Sequence, residues 1–137
     1  IGVITLNKIL YPAVFQSEDV GYSVWIPDIQ GCISQGDTLE EAYENIKDAL
    51  GLFVEEQKDT KSYVLPEASK PEDIKVEKGQ FVALVEFDWV SYLKKTDNRA
   101  VNKTLTIPAW LNEAAKSENI NFSQVLQKAL KETLHLQ

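Results

Sequence analysis

The sequence contains one cysteine, Cys32, so the chain cannot close a disulfide on itself and must be held by packing. One thiol with no partner also fits a reducing, cytoplasmic setting. Histidine is equally scarce: His135 stands alone near the C-terminal end, far from Cys32 in sequence. A cysteine–histidine nucleophile pair is therefore not suggested, and no zinc spacing or phosphate-binding glycine loop is present. Catalytic, metal and cofactor sites are accordingly not expected. Arginine occurs once, as Arg99. No apolar run approaches the roughly 18 residues that a bilayer span requires. Residues Ile1 to Leu10 lack the basic region, apolar centre and small-residue cleavage site of a secretory signal, so none is expected.

The 137 residues are 44% apolar and 26% charged, enough for one ordinary domain or a small domain with an appendage. The net charge of -7 conceals an asymmetry. Residues 1–90 hold seven lysines against seventeen acidic residues, a balance of -10, whereas residues 91–137 carry +3. An acidic lobe repels nucleic acid and attracts a basic protein, and a basic tail can approach phosphates. An acidic surface that merely aids solubility remains the alternative.

Hydrophobic patterning predicts strands over Lys8–Phe15, Tyr22–Ile26 and Gly31–Gln35, separated by tight polar turns, as an antiparallel meander. Pro12 lacks an N–H, which predicts an edge position or an interruption for the first strand. Thr38 and Glu41 have capping-box spacing and open a helix to about Glu56, with Ala42, Ile46, Leu50 and Val54 on one face. Gly51 should weaken it only modestly. Residues 58–79 read as a long connection, and Phe81–Phe87 as a fourth strand apolar on both faces. One helix covers one face of a sheet, so the second face needs the tail, another copy, another protein, or residues 58–79 themselves.

Residues 94–100 read as a polar hinge. Beyond it, Val101–Ile107 is predicted as a short strand, Ala109–Glu118 as a helix, Asn119-Ile120 as a left-handed break, and Asn121 as the cap of a second helix. These 37 residues are too few to bury a core singly, so they dock on the first lobe or dimerise.

Strand, helix, turn and helix in this order, with Thr104-Leu105-Thr106-Ile107-Pro108 and Asn119-Ile120-Asn121-Phe122-Ser123, resemble the ribbon-helix-helix repressors. The resemblance implies a homodimer whose paired strands enter the major groove of operator DNA. Parity then turns Val101, Leu105 and Ile107 inward, and Asn102, Thr104 and Thr106 outward to read base edges. The start of the second helix, at Asn121, Phe122 and Ser123, would hold a backbone phosphate, with Arg99 and Lys103 as further phosphate contacts. Lys103 occupies a parity that should be apolar, so its side chain must bend to solvent or phosphate. A dimerisation module without DNA is the alternative.

The first lobe carries a second likeness. Tyr11-Pro12-Ala13-Val14-Phe15, Gly21-Tyr22-Ser23-Val24, Ile26-Pro27-Asp28-Ile29-Gln30-Gly31-Cys32 and Gly36-Asp37-Thr38-Leu39-Glu40-Glu41-Ala42 resemble the HicB antitoxin signature in order and spacing. That family implies a partial RNase H-like lobe, a small antiparallel sheet with one packed helix, which binds a HicA-type toxin that cleaves mRNA. The expected architecture is thus α+β: a toxin-binding lobe over 1–93, the hinge 94–100, and a ribbon-helix-helix over 101–137. The family likeness implies an antitoxin that neutralises the toxin and represses its own operon, as a homodimer or a higher assembly. Tyr22, Trp25, Asp28, Glu40 and Glu44 are the candidate toxin contacts, and an acidic surface would compete with RNA for a basic toxin. A ribbon-helix-helix repressor whose first lobe senses a small ligand is the alternative. Nuclease chemistry would need Asp28, Asp37, Glu40 and Glu86 gathered around a metal, but Asp28 and Asp37 have the sequence setting of turn residues.

Overall fold

The computed structural model describes residues 8–57 and 65–137. In chain order they form β1 (Ile9–Ser17), β2 (Tyr22–Trp25), β3 (Ile33–Gly36), α1 (Leu39–Gln57), a 3-10 turn (Pro71–Asp73), β4 (Gln80–Phe87), α2 (Trp89–Thr96), α3 (Ala109–Ser117) and α4 (Phe122–Thr133). The chain divides into two compact units, Ile1–Arg99 and Ala100–Gln137.

In the first unit four antiparallel strands lie in the order β3-β2-β1-β4. The Thr38 hydroxyl accepts from the Glu41 N–H at 3.1 Å and starts α1 where the sequence places it. Ala42, Ile46, Leu50 and Val54, one helical turn apart, are buried against Tyr11, Ala13, Phe15, Val24 and Val85. Fully burying side chains such as Ile46 and Leu50 stabilises by about 1.5–3 kcal/mol each. Gly36 permits this approach: a Cβ there would overlap the backbone of Glu41 and Ala42.

β1 is a central strand, which excludes the edge position that Pro12 allowed and leaves the interruption: the ladder to β2 stops short of it. The register supplies the reason. On one side Pro12 faces Leu84 of β4, and on the other β2 pairs only with Val14 to Ser17. No ladder partner on β2 asks Pro12 for an N–H, so it disrupts nothing.

The register also sorts the second face. Ile33, Trp25, Val14 and Val82 form one apolar row across all four strands, beside a polar row of Gln35, Ser23, Gln16 and Gln80. Pro12 and Val14 are buried, while Ile33, Leu10 and Leu84 remain about half exposed or more. The stretch after residue 64 is tied to the lobe: the Tyr11 hydroxyl donates to the Pro66 carbonyl, and the Pro71–Asp73 turn packs on β4.

α2 has no counterpart in the sequence reading, and Lys94, Lys95 and Thr96, read as hinge, are its last turn. Asp88 caps it, its carboxylate accepting from the N–H groups of Val90 and Ser91 at 3.1 and 3.2 Å. Tyr92 of this helix lies on Gly51, where any Cβ would overlap its ring, and donates its hydroxyl to Glu55 at 2.9 Å. Gly51 is therefore a packing requirement of α1. Burial, with the Glu55 carboxylate second, pushes the Tyr92 phenol up to about 12.

The second unit is two short helices after an irregular segment. Both end in the same way: left-handed Asn119 and His135 close α3 and α4. At α3, the Asn119 and Ile120 N–H groups donate to Lys116 and Ala115; at α4, those of His135 and Leu136 donate to Glu132 and Lys131. Residues 101–107 are not a strand, contrary to the sequence expectation. A strand is stabilised by ladder bonds to a neighbour, and a single copy of this unit supplies none.

Candidate functional site

A furrow runs between α1 and the outer side of β4. Its upper part, about 330 Å³, is lined by Phe15, Leu39, Tyr43, Phe81 and Ala83, with Glu40 and Glu44 beside them. The Phe81 ring stacks on Phe15 at 5.2 Å and meets Tyr22 edge-on at 6.1 Å. The lower part, about 290 Å³, shares Glu44 and is lined by charge: Asp48, Glu86 and Asp88 against Lys8, Lys47 and Lys95. Lys8 pairs with Glu86 at 3.1 Å, and this carboxylate raises the lysine's pKa. The arrangement is a trough with an apolar floor and an acidic upper rim, suited to a cationic side chain with an aliphatic stem.

The five candidate toxin contacts do not form one cluster. Glu40 and Glu44 border the furrow, and Tyr22 touches its Phe81. Trp25 belongs to the opposite face of the sheet, in the row with Val14 and Ile33. Asp28 is occupied locally: its carboxylate accepts from the Ser69 N–H at 2.9 Å and from the Ser69 hydroxyl. Sequence reasoning missed Phe81, Tyr43 and Leu39 as lining residues. The parity of β4 was readable, but its place beside β1 rather than β3 was not.

Asn102, Thr104 and Thr106 are all exposed, as is Lys103. Arg99 holds Asp97 through two bonds of 2.8 and 2.9 Å, which raise its pKa. Both partners are exposed, and such a pair is easily exchanged for a phosphate. The Asn121 side chain caps α4 by accepting from the Gln124 N–H at 3.1 Å. The N–H groups of Phe122 and Ser123 then remain as donors in the first turn of α4. Val101, Leu105 and Ile107, assigned inward by parity, are 79%, 56% and 41% exposed in the single chain.

Burial lifts the Cys32 thiol to about 11, so it carries no thiolate at neutral pH. His135 serves helix closure through its backbone. Among the described residues no three histidine, cysteine, aspartate or glutamate side chains are grouped to hold a metal ion. No described helix is long and apolar enough to cross a membrane.

Comparison with known proteins agrees in family and fold. An uncharacterised 14.9 kDa protein of the rep-hol intergenic region of Haemophilus phage HP1 is 46% identical over 46 residues, 34% of this chain and 35% of its own length. A UPF0150 protein of Helicobacter pylori is 42% identical over 45 residues, 33% of this chain and 62% of its own length. The chain thus spans less than two thirds of these curated relatives. Among solved structures, a chain of a toxin-antitoxin complex from Streptococcus pneumoniae superposes with a TM-score of 0.58 at 25% identity, over 93% of this chain and 99% of that one. The antitoxin HicB of Burkholderia pseudomallei gives 0.53 at 25% identity, over 92% and 98%. The family model of the HicB-like antitoxins of bacterial toxin-antitoxin systems matches residues 11–130. With most of its length inside that match, the chain belongs to the HicB-like antitoxin family.

Proposed function

We propose that this chain is a cytoplasmic antitoxin that neutralises a HicA-type, mRNA-cleaving toxin through residues 1–93 and represses its own operon through a DNA-binding homodimer of residues 101–137. The observation that carries the DNA half is the state of the second unit. No residue from 100 to 137 is buried, yet Val101, Leu105, Trp110, Val125 and Leu130 are all more than half exposed. So much apolar surface on so short a unit calls for a partner. Pairing residues 101–107 with the same segment of a second copy would supply the missing ladder. It would cover Leu105 and Ile107 and leave Asn102, Thr104 and Thr106 facing outward for base edges. Arg99, Lys103 and the N–H groups of Phe122 and Ser123, with Asn121 fixing the helix start, would engage phosphates. The toxin half is supported by the charge of -10 on residues 1–90 and by the toxin-antitoxin complex among the structural neighbours.

The test is expression with any adjacent reading frame for a small basic protein, followed by gel shift on the upstream DNA. Co-purification and a shifted band that weakens steeply with salt are expected. Asn102→Ala should cost about 1–3 kcal/mol of operator affinity while the dimer persists. Loss of the dimer instead would overturn the assignment of faces, and a wild-type chain that shifts no upstream DNA would overturn the repressor role.

A further inference from the structure

We infer that the outer edge of β4, with the apolar furrow beside it, is the surface that holds the toxin, and that it receives an extended segment carrying lysine or arginine. This rests on the toxin reading above. β4 ends the sheet, and among the described residues no strand pairs with its outer side. The Glu86 N–H donates to the Tyr43 hydroxyl at 3.5 Å, so the Glu86 backbone faces away from β1. Alternation along an antiparallel strand then directs the backbone groups of Leu84 and Val82 outward as well. Leu84 opposes Pro12, which fits a position where β4 makes no ladder bond to β1.

An unprotected edge of this kind accepts an added strand, with main-chain bonds giving affinity and side-chain pockets giving selectivity. The pocket on hand is the furrow. Phe81, at 39% exposed, lies in its floor, and Glu40 and Glu44 border it. Lys47 already sits 4.0 Å from Glu44 and 5.7 Å from the centre of the Tyr43 ring, while Glu40 has no basic partner among the described residues. A cationic side chain entering there would lay its stem on Phe81 and bring its charge to Glu40, sharing Glu44 with Lys47. The opposite sheet face, around Ile33 and Trp25, has carboxylates that are already engaged, Glu18 by Gln16 and Ser23 and Glu86 by Lys8. Complementarity to a basic protein therefore favours the furrow, where Glu40 has no basic partner among the described residues.

The experiment measures binding of the full chain to the basic product of the adjacent reading frame. Glu40→Lys/Glu44→Lys, both exposed, should weaken it by roughly 100-fold without altering the DNA shift or the dimer. Ile33→Ser, on the other sheet face, should bind as wild type does. Leu84→Pro removes an outward N–H and the half-exposed leucine side chain but no ladder bond to β1, and should weaken binding by roughly tenfold while the lobe stays folded. The Val82 and Leu84 amides should become protected from hydrogen exchange in the complex, which a purely structural role would not produce. If wild type binds and the double charge variant matches it within about threefold, the surface is overturned while the toxin reading stands. The surface is equally overturned if the two amides stay unprotected, or if Leu84→Pro changes the oligomeric state, which would mark the edge as a contact between copies. If wild type does not bind, both readings fall.

Discussion

The two units differ in what completes them. The first has a core that its own residues close: Ala13, Val24, Ile46, Leu50 and Val85 are wholly inaccessible to solvent. The second has no buried residue, although Pro108 precedes α3, Asn121 caps α4, and both helices close in a left-handed residue. Local signals alone therefore specify α3 and α4, while packing, the larger contribution to helix stability, is absent in one copy. A segment with finished helix ends and an unfinished interior fits the homodimer proposed above. Its stability is expected to depend on concentration, whereas that of the first unit should not.

Core truncation gives the sharpest contrast. Leu50→Ala should destabilise the first unit by about 2–5 kcal/mol at any protein concentration, because Leu50 is fully buried under the sheet. Leu130→Asp should do the reverse. Leu130 is 51% exposed in the single chain, so the substitution should change little in a dilute monomer, within about 0.5 kcal/mol. At micromolar concentration it should abolish the dimer and with it the DNA shift. Thermal melts at two concentrations, with light scattering, separate the outcomes. A Leu130→Asp chain that stays dimeric would show that this helix face is not the interface.

The next effect tests how α2 is anchored. Gly51→Ala places a methyl group into the Tyr92 ring, which is buried and held by Glu55. Helix propensity favours alanine by about 1 kcal/mol. Overpacking typically costs about 1–3 kcal/mol, so a net loss is expected in a denaturant melt of the full chain. Gly51→Ala combined with Tyr92→Leu should recover part of it, since the flexible side chain can yield.

These sites show where sequence reasoning reached and where it stopped. β1 to β4, α1, α3 and α4 were legible because each carries its own periodicity. Thr38 and Asn121 cap the helices they were read to cap, and Asn119 adopts the left-handed turn it was expected to take. The strand expected over 101–107 did not form, because its ladder partner is not in the chain. α2 was missed because Trp89–Thr96 is short and ends in Lys94 and Lys95, so its polar end resembled a linker. Its signal was Asp88, an N-cap residue hidden at the end of a strand. Pro12 was read in part: the strand is not at the edge, but the ladder to β2 does stop short of it, since a missing N–H is disruptive only where a neighbour needs it. The furrow was half legible. Glu40 and Glu44 stood out by charge, but Phe81 joined them only through the non-sequential pairing of β4 with β1. Asp28 looked available to a partner because its companion Ser69 is 41 residues away.

The smallest expected effect concerns Asp88, which joins β4 to the helix the sequence did not announce. Partial burial pulls its pKa upward, but the N–H groups of Ser91 and Val90 outweigh this, with Lys8 adding to them, and hold the carboxyl below its ordinary value. Folding therefore favours the ionised form. Its contribution is fully present above the unfolded value of about 3.9 and is lost as pH falls through the lower folded value. Asp88→Ala should cost about 1 kcal/mol at neutral pH, as removal of an N-cap commonly does. Asp88→Asn keeps an accepting oxygen without the charge, so most of the neutral-pH stability should survive and the acid-dependent part should vanish. Urea melts of the three proteins across pH 3–7 decide the matter, because a flat difference between wild type and Asp88→Asn would mean that the cap works through geometry alone.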